Sequence, residues 1–254
     1  METVYVAWQD LVSREWVPVA RLEHAETYRL QYLNGASRAT GFVGFGRMNN
    51  LHAIYESAAL FPPFANRIMS RSRPEYSSYL RWADLNGSES ALDILAVTGG
   101  LRGTDSIEIF SPPTVNSEGV LQMNFFVRGL SYLPKFALAE VSRLSVGTRL
   151  RILKDIQNEQ DGNALVLSAE NPMCLVGYLP KYYCRALERL LSPDPSEVAV
   201  RVKKVNEDAP AGMRLLCELR SPCPVGFDPL LGQRDFVPLA RTVSPDMTYG
   251  AVGY

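Results

Sequence analysis

Short apolar runs rich in β-formers recur along this chain, some with apolar and polar positions alternating with a period of two, and a few stretches show the wider spacing of an amphipathic helix. Val4-Tyr5-Val6-Ala7-Trp8, the run from Trp16 to Leu22, and Tyr28-Arg29-Leu30-Gln31-Tyr32 predict three opening strands. The last places aromatic or aliphatic residues between polar ones, as a half-buried strand does. Asn34-Gly35 then offers a turn, and Gly41, Gly44 and Gly46 punctuate a loop. Phe64, Ile68 and Met69 have helical spacing, as do Leu92, Leu95 and Ala96. Asn86-Gly87-Ser88 breaks the chain between these two segments, with Ser88 or Ser90 available as an N-cap. Ser106 to Phe110 predicts a closing strand.

The second half repeats the pattern. Gln122 to Val127 predicts a strand, and Ala137, Val141 and Leu144 predict a short helix. Arg149-Leu150-Arg151-Ile152-Leu153-Lys154 alternates basic and aliphatic residues, which predicts a strand with one wet, positive face. Ala164 to Leu167 and Cys174 to Tyr178 follow as strands, joined by a turn at Asn171-Pro172. Tyr183, Leu187, Leu190 and Leu191 mark one face of a helix, stopped by Ser192-Pro193-Asp194-Pro195. Val198 to Val205 and Arg214 to Leu219 complete a sheet. The sum is an α+β chain in four parts. Residues 1–111 form a small β-meander with helices. Residues 112–119, with two prolines and a glycine, suit a linker. Residues 120–221 form a second β-rich module with one or two helices. Residues 222–254 read as an irregular tail.

Composition narrows the classes. Of 254 residues 46% are hydrophobic and 21% charged, so a packed core is expected. No apolar run reaches the roughly 18 residues of a spanning helix, and Met1-Glu2-Thr3-Val4-Tyr5 lacks the regions of a signal peptide. The expectation is a cytoplasmic protein with no membrane partner. Cys174, Cys184, Cys217 and Cys223 form no Cys-x-x-Cys pair, and His24 and His52 lie far from them, so they read as free thiols and not as a metal site. Net charge is −1, but residues 1–115 carry 10 Lys+Arg against 12 Asp+Glu, and residues 120–221 carry 14 against 11. The basic excess lies in the second module.

Three segments stand out in that module: Val127-Arg128-Gly129-Leu130-Ser131-Tyr132, then Asp161-Gly162-Asn163-Ala164-Leu165, then Val176-Gly177-Tyr178-Leu179-Pro180-Lys181. In this order, with a helix after the last, they resemble the HIRAN domain, a small barrel-like β module. The resemblance implies DNA binding, in characterised cases at the end of a single strand. It assigns Tyr132 to stack on a base, Asp161 to accept from a 3′ hydroxyl, and Lys181 to contact phosphate, the three parts that a strand-end pocket needs. Ser131 stands where a basic residue precedes the tyrosine in a well-studied type, Gln160 where an aromatic precedes the aspartate, and Tyr178 where a histidine or another aromatic occurs. Tyr178, Tyr182, Arg149 and Arg151 are the residues that could refurnish the pocket. The residues alone also admit simpler readings. Tyr132 suits a core aromatic, Asp161 a turn cap, Lys181 a solvated charge at a helix start, and Arg67, Arg71 and Arg81 a wet helix face.

In the first half, an opening β-meander is followed by Phe61-Pro62-Pro63-Phe64-Ala65-Asn66-Arg67-Ile68 and then by Leu92-Asp93-Ile94-Leu95-Ala96-Val97-Thr98-Gly99-Gly100. This layout resembles the small N-terminal subdomain of HipA-type toxin kinases, with Ala65 where that family often has Asp. The large kinase body is not part of the resemblance, which implies protein docking and no kinase activity. A HipA-like kinase lobe or a helix-turn-helix antitoxin would be the partner.

The chain has no Gly-x-x-x-x-Gly-Lys-Ser/Thr, no Gly-x-Ser-x-Gly and no His-Glu-x-x-His. Neither histidine has a nucleophile at a known spacing. Asp155, Glu159 and Asp161 lie close in sequence, but turn chemistry explains them without a metal. The expectation is a non-catalytic adaptor without a cofactor. Its HIRAN-like module would bind DNA and its HipA-like module would dock a protein. The alternative is an antitoxin-like interaction protein that binds no DNA.

Overall fold

The computed structural model describes residues 2–102, 106–159, 161–191, 197–228, 230 and 233–240. The chain forms two compact units, neither continuous in sequence. The first takes residues 1–76 and 87–112 together with the chain from 230, and the second takes 77–86 and 113–229. Gln160, the Ser192–Pro195 stop and the tail beyond 240 lie outside the described residues.

The first unit is built on β1 (Glu2–Gln9), β2 (Trp16–His24), β3 (Tyr28–Tyr32), β4 (Ile54–Ser57) and β5 (Ile107–Phe110), in the order β4-β3-β2-β1-β5 with every pair antiparallel. The helices of the first half are α1 (Asn34–Arg38), α2 (Pro62–Ala65), α3 (Tyr76–Trp82) and α4 (Ala91–Thr98). Val4, Val6, Leu22, Leu30, Phe64 and Leu95 share one core. Ser90 caps α4 in a reciprocal capping box with Asp93. Asn34-Gly35 is not a turn. It opens α1, where a Cβ on Gly35 would lie 2.0 Å from the Pro18 carbonyl oxygen. The glycine serves a close backbone approach, not a bend. Nor is Arg67 on a wet face. It is 8% exposed, and it donates from Nε to the Pro63 carbonyl at 3.0 Å and from Nη1 to the Gly100 carbonyl at 2.9 Å.

Within the segment read as an irregular tail, residues 233–240 form a strap of this unit. Asn34 N donates to the Val237 carbonyl at 2.8 Å, Leu239 N to the Tyr32 carbonyl at 2.9 Å, and Gln31 Nε2 to the Ala240 carbonyl at 2.7 Å. Phe236 packs edge-on against Tyr5 with centroids 5.1 Å apart. With Val4 and Val6 in the core and Tyr5 under Phe236, β1 is covered on both faces, which fits its unbroken apolar run Val4-Tyr5-Val6-Ala7-Trp8. Phe236→Ala is expected to cost about 2 kcal/mol, below the range for a fully buried ring because Phe236 is half-buried. Chemical denaturation followed by fluorescence measures this.

The second unit contains β6 (Thr114–Val115), β7 (Val120–Phe126), α5 (Lys135–Arg143), β8 (Arg149–Lys154), β9 (Leu165–Glu170), β10 (Met173–Tyr178), α6 (Lys181–Leu191), β11 (Ala199–Val205) and β12 (Leu215–Pro222). They form one antiparallel sheet in the order β10-β9-β8-β11-β12-β7-β6. Two expectations change here. Part of the expected linker is structured, since Thr114 and Val115 pair with Gln122 and Leu121 around the Asn116–Gly119 turn. The expected barrel is not a closed ladder. Beyond the end of β7, Arg128 meets Tyr178 of β10 in a single bridge, with N–H to carbonyl bonds of 2.8 and 2.9 Å in the two directions. Gly129 and Gly177, at φ 77° and 123°, turn the chains away on either side, so pairing stops after one residue.

α6 buries Tyr183, Cys184, Ala186, Leu187 and Leu190, which matches its apolar face. The segment 77–86 docks within this unit. Arg81 pairs with Asp208 at 2.6 Å, Asn206 Nδ2 donates to the Trp82 carbonyl at 2.9 Å, and Asp84 meets Lys203 at 3.3 Å. Among the described residues, no helix is long and apolar enough to cross a membrane.

Candidate nucleic-acid interface

The end of β10 is where the second unit gathers its unusual chemistry. Tyr178 touches two other segments. Its backbone makes the bridge to Arg128. Its ring lies over Gly129, where a Cβ would approach Cδ2 at 3.0 Å. Its hydroxyl donates to Asp155 Oδ2 at 2.9 Å. The hydrogen bond to that carboxylate, then burial, push the Tyr178 pKa up. The residue that stands in the place of a histidine is thus a neutral, donating phenol.

Asp155 opens the loop that leads to the Asp-Gly-Asn-Ala motif. Its N–H donates to the Ala164 carbonyl at 2.9 Å, which closes the loop base. Within the loop, Asn158 Nδ2 donates to Asp155 Oδ2 at 3.3 Å, and Asn158 Oδ1 accepts from Asp161 N at 3.0 Å. Asp161 Oδ1 then accepts from Asn163 N at 2.9 Å, and the Asp161 carbonyl accepts from Ala164 N at 3.0 Å. Asp161 therefore does hold a turn. Only Oδ1 takes part in that bond, and a carboxylate has a second oxygen to offer a ligand.

Lys181 is the first residue of α6, and its side chain is exposed with no ion pair among the described residues. Cys184, one turn further on, reports on both charges. Burial pushes its thiol up to about 12, with Asp161 adding to the shift and Lys181 opposing it.

Tyr132 ends a 3-10 turn, Leu130–Tyr132, that starts at the left-handed Gly129 beneath the Tyr178 ring. It is 91% exposed, which removes the core-aromatic reading. Four residues on, Phe136 in the first turn of α5 is 66% exposed. Two exposed aromatic rings on one short stretch suit base stacking better than folding. The segments bearing Tyr132, Tyr178, Asp161 and Lys181 are thus joined in one chain of contacts around the end of β10.

Arg149 and Arg151 are not brought there. Through β9, Tyr178 is level with Leu153 of β8, so Arg151 lies two residues and Arg149 four residues further along that strand. At ~3.3 Å per residue these are offsets of about 7 and 13 Å. Arg151 Nε also pairs with Glu170 at 2.6 Å, and Lys154, whose position alternates to the other face of β8, pairs with Glu188, so two of the three basic side chains of β8 are neutralised. Asp155 and Asn158 were not singled out by sequence reading as site residues. The contact of Asp155 with Tyr178 spans 23 positions, and no local pattern announces it. Among the described residues, no group of three or more His, Cys, Asp or Glu side chains could hold a metal ion.

The family model of the HIRAN domain matches residues 120–222. Two crystal structures are similar to part of the chain. A protein from Lactobacillus plantarum is 18% identical, with 41% of this chain and 97% of that one covered and a TM-score of 0.32. The HIRAN domain of human HLTF is 16% identical, with 42% and 81% covered and a TM-score of 0.32. No curated protein matches the chain. Residues 120–222 are a HIRAN domain, and the HipA-type likeness of the first half finds no support.

Proposed function

We propose that the second unit binds DNA and engages the end of a single strand at the junction around Tyr178. The observation that carries this is the contact chain just described, in which the three motif segments of the HIRAN domain meet in one place. Tyr132 stacks on a base. Asp161 accepts a hydrogen bond from the terminal sugar hydroxyl through the oxygen that its turn leaves over. Lys181 lies at the start of an 11-residue helix, so the ammonium and the helix dipole act on a phosphate together. Nothing in this set works as a nucleophile–base pair, and the reading is of a binding module without catalysis. Two separately cored units on one chain suit an adaptor, with the first unit available to a protein partner.

Anisotropy titrations of the full chain with labelled single-stranded and duplex DNA at several salt concentrations test this. Salt-sensitive binding at micromolar protein, tighter for the single strand, is expected, and no binding at low salt removes the proposal. Lys181→Ala should weaken all DNA alike and shallow the slope of log affinity against log salt by about one. A second reading, an interaction protein that binds no DNA, is favoured by one observation, the neutralisation of Arg151 and Lys154 by Glu170 and Glu188. The same titration decides between the two.

A further inference from the structure

The Asp161 turn is tied to the seam of the sheet by side chains that the recognition motifs do not include. From the Tyr178 hydroxyl a hydrogen bond of 2.9 Å runs to Asp155 Oδ2, which also accepts from Asn158 Nδ2 at 3.3 Å. Asp155 Oδ2 is thus the shared acceptor of the Tyr178 hydroxyl and the Asn158 amide. The other end of the same Asn158 amide, Oδ1, accepts from Asp161 N at 3.0 Å. Asp155 is anchored by its own N–H to the Ala164 carbonyl, and Tyr178 by two backbone bonds to Arg128. Tyr178 and Asp155 are therefore fixed to the sheet, and the Asn158 amide links Asp161 to them.

We infer that Tyr178, Asp155 and Asn158 form a relay that holds the Asp161 carboxylate in register with the stacking turn, so that Asp155 and Asn158 are positioning residues for recognition of a 3′ hydroxyl. The inference rests on the strand-end reading above. Its physical basis is pre-organisation. A loop free to sample other turns would bind the hydroxyl only in the fraction of time that Asp161 faces it. The amide of Asn158 suits the task, because it offers a donor to the anionic Asp155 and an acceptor to a backbone N–H from one rigid group. Asp155 in turn accepts from a neutral tyrosine, which gives that hydroxyl a defined direction.

Two measurements on the full chain test the relay. In the first, anisotropy compares a labelled single strand ending in a free 3′ hydroxyl with the same strand ending in a 3′ phosphate. Asn158→Ala and Asp155→Ala should each reduce the preference for the hydroxyl end by about tenfold, the loss of one hydrogen bond to a charged acceptor. Affinity for the phosphate end should stay within about twofold. Asp155→Asn, which keeps an acceptor, should recover most of the preference. In the second, amide exchange without DNA should show the Asp161 N–H losing protection in Asn158→Ala. Should that variant fail to fold, Asn158→Gln, which moves the amide by one methylene, is scored in the same way. A fall in affinity for both strands by the same factor, or unchanged Asp161 protection, overturns the relay. Loss of Asp161 protection in a protein whose parent binds neither strand keeps the relay and removes the DNA reading.

Discussion

Gly177→Ala should destabilise the second unit by about 3 kcal/mol, from backbone strain and overpacking combined. A Cβ there would lie 2.5 Å from Val127 Cγ1 and 2.6 Å from the Arg128 carbonyl oxygen, at φ 123°. Two of these three problems involve the backbone, which cannot give way as a side chain tip can. The Arg128 carbonyl is also the acceptor for Tyr178 N, so relief of the clash breaks the bridge that joins β7 to β10. Urea denaturation of wild type and variant measures the cost, and a difference under 1 kcal/mol would contradict the argument. Gly162→Ala is the control. Nothing lies within 4 Å of its added Cβ, and stability should change by no more than about 0.5 kcal/mol.

Tyr132→Ala should cost about 1–3 kcal/mol of affinity for single-stranded DNA through lost stacking, with no measurable change in stability. The second half of that expectation follows from exposure. A ring 91% open to solvent has little packing to lose. Tyr132→Phe should retain most of the affinity, because stacking uses the ring face and not the hydroxyl. If alanine leaves affinity unchanged, the platform is elsewhere, and Phe136, exposed in the next helix, is the next ring to remove. Asp161→Ala behaves differently. It should lower hydroxyl-end affinity and also some stability, since Oδ1 holds the Asn163 N–H.

Most strands were legible because the β-rich runs are long enough to carry a period. β4 was not, since Ile54-Tyr55-Glu56-Ser57 has only two adjacent apolar residues and gains its place by pairing with β3. α1 was not, because an Asn-Gly pair has the same composition whether it turns or lies against a neighbouring carbonyl. The two glycines of the motif segments show the same limit from the other side. Gly162, in an Asp-Gly-Asn turn, looks required and has open space around its Cα. Gly177, inside an apolar strand, looks incidental and is the one that the backbone needs. Within the site, the resemblance located Tyr132, Asp161, Tyr178 and Lys181, but it could not report that Tyr132 is exposed. Nor could it report that Arg151 is tied to Glu170, which depends on pairing across two strands.

The strap at residues 233–240 has a consequence for synthesis. Its hydrogen bonds reach from Ala240 back to Gln31, a separation of 209 positions. When the first sheet emerges from the ribosome, the face of Tyr5 and the backbone of Tyr32 and Asn34 have no cover from their own chain, and they must wait until the whole HIRAN domain has been made. At roughly 5–20 residues per second that wait lasts on the order of ten seconds or more. A stalled or truncated chain would expose an open β surface over that interval, so nascent chains halted before residue 230 should be the aggregation-prone and chaperone-bound species of this protein.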